Sequence, residues 1–360
     1  MNCYIHVPFC AVKCGYCAFF SEVNCSKKEH NKYLDHLQKR LELKPGDVLE
    51  TLYIGGGTPT ILDLPELRRF FAILKGNLQF APDCEISIEA NPETLTYEKV
   101  SLLRSFVSRI SLGVQSFNSA LRGSIGRKCS DEALDRAIKL VSEASFKHWN
   151  CDLIYSLPDQ KLSDWIDDLH RAGDCGCDHI SCYSLTPEDD AEMGKNFAED
   201  DERESAMYTA CEKELNKYGI YRYEISNYAI PGCECRHNLN VWQGGLLRGE
   251  GPSAADFDGV CRHIEPASLD KWFAGEEPER DEISAEARCN EIFAVNLRTL
   301  KGWNRSAWEK VSGGDDWSKR LQIAGKLEKI FPGCVEFDET TVKLSARGLM
   351  YWNDIAEAII

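Results

Sequence analysis

Apolar and polar positions in the first 230 residues alternate between two periods. Short apolar, β-rich runs recur as "NCYIHV" (2–7), "VLETLYIG" (48–55), "CEISIEA" (84–90), "RISLGVQ" (109–115), "HWNCDLIY" (148–155) and "HISCYSLT" (179–186). Between them lie "KYLDHLQKRLEL", "LPELRRFFAILKGNL", "YEKVSLLRSFV" and "DEALDRAIKLVSEA". These place apolar residues at helical spacing; in the third, Val100, Leu103, Phe106 and Val107 share one face. Six strands alternating with helices predict a parallel α/β sheet built from right-handed crossovers. The number suits an open partial (β/α)6 barrel better than a closed barrel of eight.

Beyond about residue 190 the rhythm fades. "YRYEISNYAIPG" reads as a last strand and loop, and residues 233–259 are glycine-rich and unlike a helix. A helical pattern resumes near 284, and the end reads as a hairpin turning near Asp338–Thr340 and then a helix, a helical, winged-helix-like unit. The expected division is therefore 1–230 as the partial barrel, 231–280 as a glycine-rich segment and 281–360 as the C-terminal unit.

Parallel sheets of this kind gather ligands at the carboxyl ends of their strands. Here the first strand runs into "CAVKCGYCAF", the second into "GGGTP" (55–59), the third ends at Glu89 and the fourth at Gln115, while the fifth carries Asp152. A cysteine loop, a glycine loop and several polar side chains are thus expected on one face.

Composition narrows the partners. The net charge of −16, from 42 basic and 58 acidic residues, argues against a nucleic-acid binder, which needs a basic footprint. The C-terminal unit (279–360) has 12 Lys/Arg against 14 Asp/Glu, so its winged-helix-like pattern suits packing or docking better than DNA binding. The acidic run at 187–204 reads as a solvated loop and helix start. No apolar run approaches the roughly 18–20 residues of a membrane helix, and the N-terminus has no secretion-signal pattern. Seventeen cysteines, odd in number and irregular in spacing, suit free thiols in a reducing cytoplasm, and most fall in apolar strand patterns where they pack as small hydrophobes.

Cys10, Cys14 and Cys17 are the exception. Their C-x3-C-x2-C spacing sits just after a strand, in a loop with Lys13 and Gly15. Three thiolates can hold three irons of a cubane and leave the fourth free for a small molecule. An open zinc site follows the same logic, but a nearby fourth ligand and the paired C-x2-C spacing are missing. In "YIGGGTP" glycines let a ligand approach the backbone, with amides free to bond it; the alternative is a tight turn. "CECRH" offers Cys233, Cys235 and His237, and "CGC" (175–177) lies elsewhere, but C-x-C is not zinc spacing.

The ordered set "YIHVPFCAVKCGYCAF", "GGGTP", "EISIEANPETL", "RISLGVQSF", "DLIYSLP" and "ECRHNLNVW" resembles the radical S-adenosylmethionine (SAM) superfamily. Within it the chain is similar to the branch that holds anaerobic coproporphyrinogen III dehydrogenase and the HemW-like heme chaperones. The likeness runs from residue 2 to about 258 and more weakly to the end. It implies a partial barrel of the radical SAM type, with Cys10, Cys14 and Cys17 on a 4Fe–4S cluster whose open iron takes SAM. It places Tyr4 beside the cofactor, Tyr16 over the cluster, and Gly56, Gly57 and Thr58 against the methionine part. Glu89, Gln115, Arg127 and Asp152 would line the rest, a carboxylate suiting the ammonium and Arg the carboxylate.

The dehydrogenase carries a fourth cysteine where this chain has Phe19, and an N-terminal extension over its active site; both differences favour the chaperone group. That group has H-N-x-x-Y-W where this chain has "HNLNVW", which implies heme contact by His237 and Trp242 near the cluster face. Val241 replaces the family Tyr, and Ala255 stands where relatives show His. The resemblance therefore implies a cytoplasmic heme carrier with an acceptor protein and an electron donor for the cluster. The alternatives are the decarboxylating dehydrogenase or a heme-degrading, methyltransferase-like enzyme.

Overall fold

The computed structural model describes residues 1–41, 47–186, 193 and 200–360. The six expected strands are present: β1 (Asn2–Val7), β2 (Leu49–Gly56), β3 (Phe80–Ala90), β4 (Arg109–Gln115), β5 (His148–Tyr155) and β6 (His179–Ser184). They pair in parallel in chain order. Crossovers run through α1 (Lys27–Arg40), α2 (Leu64–Asn77), α3 (Tyr97–Arg104), α4 (Ser119–Ser124), α5 (Asp131–Glu143) and α6 (Leu162–Asp174). Local chemistry starts these helices. Ser26 with Glu29 and Asp63 with Glu66 form reciprocal capping boxes on α1 and α2.

The sheet continues beyond the six. After α7 (Asp201–Leu215) come β7 (Tyr221–Arg222) and β8 (Asn227–Ala229), then α8 (Arg236–Trp242), β9 (Leu247–Glu250), β10 (Ala255–Phe257), β11 (Cys261–Ile264) and β12 (Glu279–Glu282). The strand order is β12-β11-β10-β9-β1-β2-β3-β4-β5-β6-β8-β7, an open sheet in which β1 and β6 are not neighbours. β9 is a seventh parallel strand, lying beside β1 with Asn2 opposite Leu247. It escaped the sequence reading because "LRGE" carries no apolar run. The segment 233–259 also contains a helix, α8; seven residues are too few for a period to declare itself.

Every central strand alternates. Cys3, Ile5, Val7, Leu52, Ile54, Ile86, Ile88, Ile110, Leu112, Cys151, Leu153, Ile180 and Cys182 join one buried core with Leu34, Phe70, Leu103 and Leu169 of the helices. The intervening positions are polar and bond to one another across the other face: Thr51 to Asn2, Tyr53 to Glu89, Ser111 to Asp152 and Asn150 to Ser181. With side chains alternating at period two, the barrel has a greasy outside under its helices and a polar inside.

A second core gathers residues 289–359, including Phe293, Trp303, Trp308 and Leu349, and Ile225 packs against both cores. It contains the expected hairpin, Val335–Phe337 paired with Thr341–Leu344, followed by helices Ala346–Met350 and Trp352–Glu357. Of the acidic run at 187–204, only Met193 and residues from Asp200 onward are described, and α7 begins at Asp201. All seventeen cysteines are free thiols. No described helix is long and apolar enough to cross a membrane.

Gly251 follows β9 with φ +108°, and a Cβ there would lie 2.3 Å from the carbonyl oxygen of His6. Gly251→Ala is therefore expected to lower unfolding stability by at least about 2 kcal/mol from backbone strain and overlap together, read as a lower urea midpoint.

Candidate functional site

At the carboxyl ends of the strands a cavity of about 670 Å³ opens between the cysteine loop and the barrel interior. The residues that shape it come from many segments. Phe9–Cys10 leaves β1 as a short strand paired with Glu22–Val23, which turns the chain back over the barrel. The loop is then pinned on the far side, where Gly15 N–H donates to the Ile125 carbonyl (3.2 Å). Cys10, Cys14 and Cys17 all line the cavity, with Tyr16 between them. Cys10 Sγ lies 3.5 Å from Thr58 Oγ1, which also accepts from Asn91 Nδ2 (2.7 Å). Burial holds the Cys14 and Cys17 thiols above the usual range, with Arg127 opposing this at Cys14. A bound metal reverses that balance, because a coordinated thiol loses its proton.

Gly56, Gly57, Thr58, Glu89, Gln115, Arg127 and Asp152 line the same cavity. The glycine loop departs from its expected role. Its amides are already engaged: Gly56 N–H donates to Glu89 Oε2 (3.2 Å), Gly57 N–H to the Val7 carbonyl (2.9 Å) and Thr58 N–H to the Phe9 carbonyl (2.7 Å). A Cβ on Gly57 would meet the Phe9 carbonyl oxygen at 2.6 Å, so glycine is demanded there by the chain crossing it.

Glu89 also accepts from Tyr53 OH (3.0 Å). Burial, with Asp152 nearby, pushes its pKa up to about 7. Burial likewise raises Asp152, against hydrogen bonds from Ser111, Ser181 and Asn150 that favour its charged form. Two carboxyl groups in one buried space, neither holding a cation, suit a positively charged guest. Arg127 donates to the Gly113 carbonyl (3.1 Å) and approaches Glu93 (3.3 Å), while its buried Nε has no hydrogen bond. Gln115 adopts a left-handed φ of +69°, which turns the chain sharply where β4 enters the cavity.

Three expected residues lie apart from that cavity's lining. Tyr4, on β1, points into the barrel, bonds His6 Nδ1 (3.1 Å) and stacks on Tyr53 at 6.2 Å. His237 and Trp242 belong to α8, which covers the amino ends of the strands, opposite the cysteine loop. His237 is buried there: Nδ1 meets Thr51 Oγ1 (2.8 Å), its backbone N–H donates to Glu85 Oε1 (3.2 Å), and its ring lies 5.2 Å from that of Tyr53. Burial lowers its pKa to about 4. The expected position of "HNLNVW" near the cluster face is thus corrected: one tyrosine, Tyr53, spans from His237 to the cavity. Trp242 carries the Arg298 guanidinium 4.5 Å from its ring centre.

Tyr53, Asn91, Ser111, Gly113 and Tyr183 also line the cavity and were not singled out from sequence. Their signal was available. Ser111 and Gly113 precede Gln115 by steps of two along β4, on one face of the strand.

The Radical SAM superfamily model matches residues 4–172. The heme chaperone HemW of Buchnera aphidicola from Schizaphis graminum is 37% identical, the alignment covering 100% of this chain and 98% of that protein. The chain belongs to the HemW family of the radical SAM superfamily. The Escherichia coli HemW is 36% identical over 71% of this chain and 69% of its own length, and that of Bacillus subtilis 29% over 100% and 99%. The solved structure of E. coli coproporphyrinogen III oxidase (HemN), a radical SAM enzyme, superposes with a TM-score of 0.86 at 23% identity, covering 99% of this chain and 89% of that one, and so shares the fold. The HemW family match and this fold agree with the partial-barrel expectation.

The raised Glu89 gives a signed prediction. Between pH 4.5, the ordinary glutamate value, and about 7, the folded chain keeps a proton there that the unfolded chain has released. Cofactor-free protein should therefore lose stability relative to Glu89→Gln as pH rises through that range, by up to about 3 kcal/mol. Urea unfolding of both proteins across pH 5–8 measures it; a difference that grows in favour of the native residue as pH rises contradicts the assignment.

Proposed function

We propose that the chain is a cytoplasmic heme chaperone that carries a 4Fe–4S cluster and SAM and passes heme to an acceptor protein. The observation that carries this reading is the end-to-end match to a HemW heme chaperone, over 100% of this chain and 98% of that protein. Cys10, Cys14 and Cys17 are the residues that would hold the cluster, and their convergence on one cavity supports it. The chemistry such a cluster would supply when bound is one-electron reduction of the SAM sulfonium. Glu89 and Asp152 are the residues that would hold the ammonium of SAM, and the buried Arg127 Nε, which has no hydrogen bond, would be available to its carboxylate. Tyr16 would shield the cluster, and Gln115, Gly56, Gly57 and Thr58 line the same cavity.

Phe19, where the dehydrogenase branch has cysteine, borders the cavity and is 67% exposed, which supports a carrier over the decarboxylase. We propose the three-part division 1–230, 231–280 and 281–360, the middle part adding β9, β10 and β11 to the sheet. An external electron donor serves the cluster, and the acidic charge of −16 leaves nucleic acid an unsuitable partner. For heme, His237 is the candidate axial ligand and Trp242 the stacking ring. The burial of His237 against Thr51 means that ligation requires α8 to lift from the barrel mouth. Lifting α8 also breaks the bond from the His237 backbone N–H to the buried Glu85 carboxylate.

Anaerobic reconstitution should yield about four irons per chain, and Ala at Cys10, Cys14 and Cys17 should abolish them. His237→Ala should shift the heme absorbance spectrum and weaken heme binding; an unaltered spectrum removes His237 as ligand. With reductant and SAM, neither coproporphyrinogen III decarboxylation nor heme ring opening should exceed one turnover per chain. Multiple turnovers in either assay make the protein an enzyme and defeat the chaperone reading.

A further inference from the structure

At the amino ends of the strands, next to α8, three metal-ligating side chains meet that no sequence spacing connects. His148 opens β5, Asp178 precedes β6, and Cys233 lies in the turn that leads into α8. One ligand atom from each falls within 4.8 Å of the other two. We propose that His148, Asp178 and Cys233 form a site for a divalent metal of the zinc class.

The donor set selects the metal. A nitrogen, a thiolate and one carboxylate suit zinc or its transition-metal neighbours and not magnesium or calcium, which take oxygen ligands. Three protein donors leave a fourth tetrahedral position to water or another ligand.

The donors are also held in place. His148 Nδ1 and Asp178 Oδ2 are 2.6 Å apart, a contact that a metal would replace by binding both. The other Asp178 oxygen accepts from Trp149 N–H (3.0 Å), which fixes the carboxylate plane. Ile230 N–H donates to the Asp178 carbonyl (2.9 Å) and Cys233 N–H to the Ile230 carbonyl (2.9 Å), so the cysteine turn is stitched to the aspartate. Arg109 is the nearby cation, but it donates to the Cys233 and Glu234 carbonyls (2.9 and 3.1 Å) and is paired with Glu85 (3.0 Å). The side chains of His148 and Asp178 are 13% and 19% exposed, enough for an ion to enter. Around a tetrahedral ion the two donors now in contact must spread by somewhat under about 1 Å, since metal bonds of 2.0–2.3 Å set donors about 3.4 Å apart.

A metal here clips the turn before α8 to the ends of β5 and β6. It shares no ligand with the cluster or with the proposed heme ligand. The spacing-based set Cys233, Cys235 and His237 is not assembled: Cys235 Sγ faces Glu85 (3.7 Å), and His237 faces Thr51.

The test uses full-length, cluster-loaded protein incubated with zinc chloride, desalted and assayed by plasma mass spectrometry. About one zinc per chain is expected in the native sequence and in Cys235→Ala, and at least a tenfold loss in Cys233→Ala and His148→Ala. In a second arm, cobalt(II) added to full-length protein lacking Cys10, Cys14 and Cys17 should give a thiolate-to-cobalt charge-transfer band that disappears when Cys233→Ser is added. Circular dichroism melts establish that each variant is folded, and Cys233→Ser replaces Cys233→Ala should the latter not be. Equal zinc in the native, Cys233 and His148 proteins overturns the proposal, as does the absence of retained zinc in the native protein.

Discussion

The buried ion pair between Arg109 and Glu85 ties the two halves of this molecule together. Both side chains are almost wholly buried, and they meet inside the barrel at its amino mouth. A guanidinium and a carboxylate taken out of water are costly unless every lone pair and N–H is used. Glu85 gives its second oxygen to the His237 backbone N–H, and Arg109 Nη2 also reaches the Cys233 and Glu234 carbonyls, while its buried Nη1 has no hydrogen bond. The pair is thus the floor on which α8 rests. Without it, the turn carrying Cys233 and the helix carrying His237 would both lose their seat on the sheet.

Polarity then runs upward from that floor. Asn150 joins Asp152, Ser111 and Ser181 in one hydrogen-bonded cluster, and His179 links Asn150 Oδ1 (2.6 Å) to Tyr223 OH (2.8 Å). Tyr223 in turn accepts from the Cys235 N–H (3.4 Å) at the start of α8. On the other side Tyr53 touches His237 and Glu89 at once. The lumen is therefore a continuous polar column between the cysteine cavity and the opposite mouth, and networks of this kind in low dielectric are rigid only when fully satisfied.

How much of this could be read from residue order depends on range. β1 to β6 were legible because each apolar run buries one face against helices, and that pattern is local. β9 was not, since "LRGE" earns its place only by pairing with a strand at the other end of the chain. The residues of the cysteine cavity were legible because strand ends in a parallel sheet share one side. The side occupied by "HNLNVW" was not, because a segment after the last crossover can return to either mouth, and the Glu85 contact that decides it involves a partner 152 residues away. The glycine loop was legible as glycine but not in its reason: the collision with Phe9 depends on how the chain leaves β1.

The position of β9 also bears on how the protein is made. β1 is made long before its second neighbour, which begins at Leu247. At synthesis rates of roughly 5–20 residues per second, that neighbour follows after between about 12 and 50 s. Throughout that interval the nascent chain can present β1 as an open sheet edge, with Cys3 and Ile5 on its core face and the cysteine loop at its end. The cell must therefore guard an unfinished edge and three nearby thiols together until β9 has been made.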